Sequence, residues 1–575
     1  MVELVVEVAF NAGVKTPAED RVWTDITDYV EGDVTITYGR SDELSTADAN
    51  SVALTLDNSD GRFTPDHPGS PYHPGVKLGR PIRVSVVTAA GSRRRFTGFV
   101  DSWPVQWDGT DETATSTVTA TSGMAQMGMA VQLRSGVEYF AADLGAVGFW
   151  PMNEDEGALV ATDVLHGLTL APQPRSGPFP TFGVDLGSGR GVRFNGRGLE
   201  GYLPNPTGGW GVALLFQASG PATLFAAHEP PTDVLNPPTQ HYASVARAGT
   251  LRGRLVVDDR PHLLLVTDGD GIQDTYLDGD LIHSTPSLGP PHYFPLAIGE
   301  SGQVVIGNVI VFNGNVTAAQ AATLHQVMLG EATTAVVAAQ VAGHAGREIT
   351  VVDATATLAN VDVDGIQALE ALRLIEISEG GVLHENRDGD LILLGRRHRY
   401  HAPVALTIDG AAQQLQSGYA HVYDRQGLTN DATVTGPAGV GRASDNPSIN
   451  DYGLATSSWE TRDTGPDAAI EAAGWAIANR SQPRVRVPSL TVDVLASGLD
   501  PLELMALDVS SRIRVTNLPA QASSDGDFFV EGYTELLSAT EHTLTFNVSP
   551  AVHYTGLFVV EDPTAGQLDD DRLAW

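Results

Sequence analysis

Short apolar runs alternating with polar residues dominate the chain. Val34-Thr35-Ile36-Thr37-Tyr38 and Val52-Ala53-Leu54-Thr55-Leu56-Asp57 set apolar side chains on one face at a period of two, the pattern of half-buried strands. Between later strands stand Asp57-Asn58-Ser59-Asp60-Gly61 and His67-Pro68-Gly69-Ser70-Pro71, whose residues bond their own backbone or preset φ. Residues 1 to 125 are therefore predicted as a β module with a long Pro/Gly-rich loop. From 138 to 330, apolar strands are cut by Gly-, Pro- and Asp-rich turns and end in a helix. Thr317 caps that helix while Gln320 reaches back, and Ala321, Leu324 and Met328 follow on one face. The small-residue stretch from Ala332 to Gly346 is predicted as a linker.

Residues 347 to 488 mix types. Ile366, Leu369, Leu372 and Ile375 recur at helical spacing, and Gly380-Gly381 stops that helix. Arg387-Asp388-Gly389-Asp390 then turns between the strands Val382-Leu383-His384 and Leu391-Ile392-Leu393-Leu394. A second helix is predicted from Asp467 to about Arg480. After Pro483, the alternating strand Leu490-Thr491-Val492-Asp493-Val494 belongs to a C-terminal β module over 489 to 575.

Composition agrees with a mainly β chain holding a few short helices. The 575 residues are 42% hydrophobic, enough for several cores, and 61 glycines and 34 prolines punctuate the strands. Formal net charge is −36, from 70 acidic and 34 basic residues, so the protein repels a phosphate backbone and sequence-specific nucleic-acid binding is not expected. The same acidity serves solubility, so it excludes more than it identifies. With no cysteine, neither disulfides nor thiolate metal sites hold the fold. Met1 to Val8 mixes apolar and acidic residues like a strand and lacks the basic start of a signal peptide, so export by the general secretory route is not expected. No apolar run reaches the roughly 18 residues of a membrane span.

An internal repeat is visible. Ser51 to Leu56 is followed by Pro81-Ile82-Arg83-Val84, Phe96-Thr97-Gly98-Phe99-Val100 and Thr117-Val118-Thr119-Ala120. Ser489 to Val494 is followed by Arg512-Ile513-Arg514-Val515, Phe529-Val530-Glu531-Gly532-Tyr533 and Leu544-Thr545-Phe546-Asn547. Either the two regions are related β modules, so that three chains would build a ring of six similar units, or strands rich in Arg and Gly look alike by chance.

Trp23-Thr24-Asp25-Ile26-Thr27-Asp28-Tyr29-Val30, Ala53 to Asn58, Gly61-Arg62-Phe63-Thr64-Pro65 and Gly75 through Val84 resemble the opening of minor tail proteins from phages of actinobacteria. The resemblance returns at Trp475 to Val494, Arg512 to Pro519 and Val530-Glu531-Gly532-Tyr533. It implies tail-hub-like β modules and a structural role: a homotrimeric hub at the virion's tail tip, made in the host cytoplasm, that closes the tail tube. Implied partners are the distal tail protein, the tape measure and tip or fibre proteins. The alternatives are a hexameric distal tail protein or a virion-associated cell-wall glycan hydrolase. The middle resembles a laminin-G or concanavalin-A-like sandwich, jelly-roll-like and inserted, through Val147 to Glu154, Gly191 to Gly196, Asp259-Arg260-Pro261-His262, Tyr276-Leu277-Asp278-Gly279 and Ile306 to Phe312. It implies a host cell-surface glycan as ligand, or else a spacer or a contact for a neighbouring tail protein.

Candidate chemistry adds little. His398 and His401 have a spacing that could ligate a metal, but Arg396, Arg397 and Arg399 make a cation costly there, so an exposed basic strand edge or loop is expected. Asp268-Gly269-Asp270-Gly271 and Asp388-Gly389-Asp390 look oxygen-rich yet miss the twelve-residue calcium pattern, so solvated turns are expected. His384-Glu385 has Asp388 where a zinc protease needs its second His, and no nucleophile elbow or Walker loop appears. No catalytic residue, cofactor or metal is predicted, and the chain is expected not to be an enzyme. Trp210, Tyr242 and Tyr293 are the candidate glycan contacts, by stacking on sugar rings if exposed.

Overall fold

The computed structural model describes residues 3–554 apart from 90, 108, 110–112, 130–131, 175, 187–188, 205–207, 219–221, 228–259, 287–293, 302, 360–362, 417–419, 519–520, 522–525 and 539. The fold is mainly β with few helices. It divides into two compact units: residues 1–131 with 333–358 and 367–575, and residues 132–332 with 359–366.

The first unit is organised by a 13-stranded sheet. Ser51–Asp57 shows why its strands form. Val52, Leu54 and Leu56 face the core, while Ser51, Ala53, Thr55 and Asp57 turn outward. In the N-terminal group, Pro81–Thr88 pairs with Gly91–Ser102, which pairs with Ala114–Thr121, which pairs with Ser51–Asp57. In the C-terminal group, Arg512–Thr516 pairs with Gly526–Leu537, which pairs with His542–Pro550, which pairs with Ser489–Asp493. Both groups thus run second, third, fourth, first, with every pair antiparallel. Each also sets two threonine hydroxyls across its fourth-to-first pairing, Thr117 to Thr55 at 3.3 Å and Thr545 to Thr491 at 3.1 Å.

Val30–Gly39 joins the two groups, pairing with Ser51–Asp57 on one side and Gly526–Leu537 on the other. At that seam Tyr38 stacks on Tyr533 with centroids 4.8 Å apart. Gly39 has φ 76°, and a Cβ there would lie 2.6 Å from the Glu531 carbonyl oxygen, so a side chain would force the two strands apart. One core collects Val34, Leu54 and Val84 from the N-terminal strands with Val492, Ile513, Val530 and Phe546 from the C-terminal ones. Each such side chain is worth about 1.5–3 kcal/mol when fully buried.

The stretch expected as a linker is instead the helix Thr334–His344. Its alanines are strong helix formers, and Thr334, Val337, Ala338, Val341 and Ala342 fall at i, i+3, i+4, i+7 and i+8, so small residues here make a packed stripe. The other two helices lie close to prediction, Ala368–Glu379 ending at a left-handed Gly380 (φ 65°) and Ala468–Arg480 beginning after Asp467. Ala469, Ala472, Ala473 and Ala476 press the latter onto the strands Asp431–Gly436 and Gly439–Ser444. The approach is so close that a Cβ on Gly441 would sit 2.1 Å from the Ala469 carbonyl oxygen.

The second unit is a sandwich of a 5-stranded and an 8-stranded sheet. Leu170, Leu199, Leu296 and Ile298 of the smaller sheet meet Phe194, Val212, Leu214, Phe216, Leu264 and Ile306 of the larger in one core. The opposite face of the larger sheet is covered by the helices Gly136–Asp143 and Ala318–Met328 through Val137, Ala141, Ala321 and Leu324. Burial on both faces explains why Trp210–Ala218 and His262–Gly269 are nearly continuous in apolar residues instead of alternating. The capping box forms as predicted: Thr317 Oγ1 accepts from the Gln320 N–H, and Gln320 Oε1 accepts from the Thr317 N–H.

Candidate functional site

Trp210 lies on Trp210–Ala218, 1% exposed, with its neighbours paired on both edges. The expectation of a glycan contact at Trp210 is corrected: its ring fills the core shared by the two sheets and offers no face to a sugar. Tyr242 and Tyr293 lie outside the described residues. The sandwich does expose other aromatics, Tyr202 at 79% and Phe179 at 59%, the latter under the Arg197 guanidinium at 4.0 Å. Period two would have found Tyr202. In Leu199-Glu200-Gly201-Tyr202-Leu203 the leucines point inward, so Glu200 and Tyr202 point out.

The candidate metal and calcium motifs resolve into turns. Asp270 (φ 53°) and Gly271 make the bend between His262–Gly269 and Ile272–Leu277. Asp388-Gly389 turns between Val382–Glu385 and Leu391–Leu394, with Asn386 Oδ1 accepting from the N–H groups of Asp388 and Asp390. His398 Nδ1 lies 2.8 Å from Asp353 Oδ2. Among the described residues no three His, Asp or Glu side chains gather as a metal cluster. The expected exposed basic edge at 396–401 is also corrected. Arg396–Arg399 is a 3-10 turn that carries Arg396 and Arg399 inward, because buried carboxylates wait for both.

Those carboxylates belong to a set of buried charges running through the first unit. Glu531, fully buried, accepts from Arg40 Nε at 2.7 Å, from Arg399 Nη1 and Nη2 at 2.8 Å each, and from Ser549. Burial alone would raise its carboxyl; the charges of Arg399 and Arg40 overcome that and hold it well below the usual carboxylate range. Glu535 accepts from Arg95 Nε at 2.8 Å and lies 2.7 Å from His542 Nε2. Burial opposes, and Arg95 and His542 reverse, the shift of the Glu535 carboxyl, which ends below its ordinary value. Arg387 donates to the Tyr533 hydroxyl at 2.8 Å, and the Tyr38 hydroxyl donates to Asp508 at 2.6 Å. Glu379 accepts from the N–H groups of Thr355 and Ala356 and from the Thr334 hydroxyl. Charges so buried and paired with one another fix one arrangement of strands.

Beside this set lies a cavity of about 410 Å³. Trp459 and Trp475, both half-buried, wall it together with Tyr554, Arg399, Arg480 and Glu43. Trp475 and Tyr554 sit 6.2 Å apart at 55°, and the Arg399 guanidinium lies 5.7 Å from the Tyr554 ring. Burial pushes the Glu43 carboxyl up, against the opposing charge of Arg480 and with the added repulsion of Glu531. Among the described residues, neither the Glu43 carboxylate nor the Arg480 guanidinium makes a hydrogen bond or a close ion pair.

No protein-family model and no curated protein matches the chain. Among solved structures it is similar to the 43 kDa tail protein of prophage MuSo2 from Shewanella oneidensis, 10% identical with a TM-score of 0.40, over 96% of this chain and 98% of that one. Domain 4 of a GH43 extracellular arabinanase from Geobacillus stearothermophilus, in complex with arabinotriose, matches 32% of this chain over 98% of its own, at 15% identity and a TM-score of 0.24. The binding domain of botulinum neurotoxin serotype D matches 32% of this chain over 52% of its own, at 11% identity and a TM-score of 0.24. Likenesses this remote carry no argument about what the chain does.

Proposed function

We propose that this chain is a structural subunit of a phage tail tip, a trimeric hub that closes the tail tube, with no catalytic role. The observation that carries the reading is the shared pairing order of the two four-strand groups, Ser51–Asp57 through Ala114–Thr121 and Ser489–Asp493 through His542–Pro550. Three chains, each supplying two similar groups, make a ring of six, which reconciles a trimer with a sixfold tube. The resemblance of both chain ends to minor tail proteins points the same way. A net charge of −36 suits a channel wall past which DNA must slide without binding. Light scattering on the purified chain tests it: the expected mass is three chains, and a mass of six, or a monomer under all conditions, overturns it in favour of a distal ring or an enzyme.

In this reading the sandwich touches a host surface glycan weakly and gains strength from several copies on one particle. Its exposed Tyr202 face is the surface offered. Residues 132–332 displayed on beads should retain purified host cell-wall polysaccharide above a control sandwich, and Tyr202→Ala should lower that retention. Equal retention by the control makes the domain a spacer. Release of reducing ends from the polysaccharide would overturn the non-enzymatic reading.

A further inference from the structure

The cavity of the first unit plays no part in the proposed tail role, and its walls have a definite chemistry. Two half-buried tryptophans and Tyr554 present aromatic surface, and Ser45 and Ser457 line the same space. The arginines there are mostly spent: Arg40 and Arg399 share Glu531, and Arg396 is held by Glu379 and Asp463. Arg480 and Glu43 remain, a donor fork and an acceptor beside each other with charges that cancel. An anionic ligand would meet one available arginine with a carboxylate next to it, a poor exchange for its hydration. A neutral ligand with adjacent hydroxyls can accept from Arg480 and donate to Glu43 at once while its apolar ring face lies on a tryptophan.

We infer that this cavity is a binding site for a neutral saccharide, held by Trp459 and Trp475 as faces and by Arg480 and Glu43 as the hydrogen-bonding pair. The inference does not rest on the tail reading, and the site is separate from the sandwich. Its ligand class follows from the neutrality of the wall, so an acidic sugar should bind worse than a neutral one of the same size.

The test uses the full chain and its intrinsic tryptophan emission, titrated with maltotriose, galactotriose and tri-N-acetylchitotriose, with trigalacturonate and an Asp-Leu-Asp peptide as contrasts. At least one neutral trisaccharide should give a saturable change at millimolar concentration or below. Arg480→Gln and Glu43→Gln should each weaken it about tenfold, the size of one charged hydrogen bond, with an unchanged melting temperature. Binding that is insensitive to both variants lies elsewhere in the chain and overturns the site. Tighter binding of the acidic trisaccharide or the peptide overturns the ligand class, and no response to any neutral trisaccharide by the folded chain overturns the inference outright. None of these outcomes bears on the mass measurement that tests the tail role.

Discussion

Replacing Glu531 by Gln is the sharpest probe of what holds the first unit together. The carboxylate is fully buried and takes three guanidinium hydrogen bonds of 2.7 to 2.8 Å from Arg40 and Arg399. Glutamine keeps the shape but removes the charge and turns an amide donor toward two buried cations. Breaking a buried pair from one side costs about 3–5 kcal/mol, and two stranded cations place this case at the upper end. Replacing Arg40, Arg399 and Glu531 together by Met removes the charges as a set and should cost far less, or even stabilise by about 1–4 kcal/mol. Calorimetry with chemical denaturation is the assay, because two units need not melt together. The transition of the first unit should fall in the Gln variant while that of the sandwich stays put. A loss below about 1 kcal/mol, the value of an exposed pair, would refute the view that the carboxylate is desolvated.

The same group sets an acid limb. Its folded value is depressed below the ordinary 4.5, so its contribution is fully present above that value and is lost as pH falls from there toward the depressed folded value. The Gln variant should therefore lose less stability than the parent between pH 5 and pH 2, a range of about three units around the ordinary glutamate value. Equal acid slopes for the two proteins would contradict the assignment.

Three further perturbations follow from packing. Trp210→Ala should lower the sandwich transition by about 3–5 kcal/mol, and the folded variant should hold glycan as the parent does; a loss of binding without a loss of stability would return Trp210 to the surface. Gly441→Ala places a Cβ 2.1 Å from the Ala469 carbonyl oxygen and should cost about 1–3 kcal/mol in the first unit, read by denaturant midpoint, with no change counting against the close helix approach. Ending the chain at residue 488 should leave residues 132–332 folded but the N-terminal strands aggregated, measured by limited proteolysis of the soluble and insoluble fractions; a soluble, protease-resistant fragment from residues 1–125 would contradict this.

What was legible in the sequence was local. The alternation in Ser51–Asp57, the turn at Asp388-Gly389 and the Thr317–Gln320 box each depend on residues within a few positions of one another, so the chain displays them directly. The stretch from Ala332 to Gly346 failed because small residues read as a loop when no large apolar residue marks a stripe, whereas alanine packs well where a helix lies close to its neighbours. The buried charges were illegible for a different reason. Arg399 and Glu531 stand 132 residues apart and Arg40 and Glu531 stand 491 apart, so each reads alone as a surface residue. Trp210 misled in the opposite direction, since an aromatic in an apolar run gives no sign that both faces of its sheet are covered.

Those separations also order the folding of the chain. Within the sandwich the strands from Ala146–Trp150 to Gln303–Asn313 pair with one another, so that unit can close as soon as its own residues are made. Val30–Gly39 must wait for Gly526–Leu537, and Arg95 must wait for Glu535, 440 residues later. Until then the N-terminal group has an open strand edge and uncompensated arginines at positions that end up dry, a state that costs more than it gains by compaction. The charges therefore act against premature closure as well as for the final one: apolar side chains at Arg95 and Glu535 would let the N-terminal strands collapse on any greasy surface, while a guanidinium tolerates burial only when its own carboxylate arrives. Pairing Arg95 with Glu535 and Arg40 with Glu531 across the seam thus makes the correct union of the two four-strand groups the one that brings these two arginines to their carboxylates.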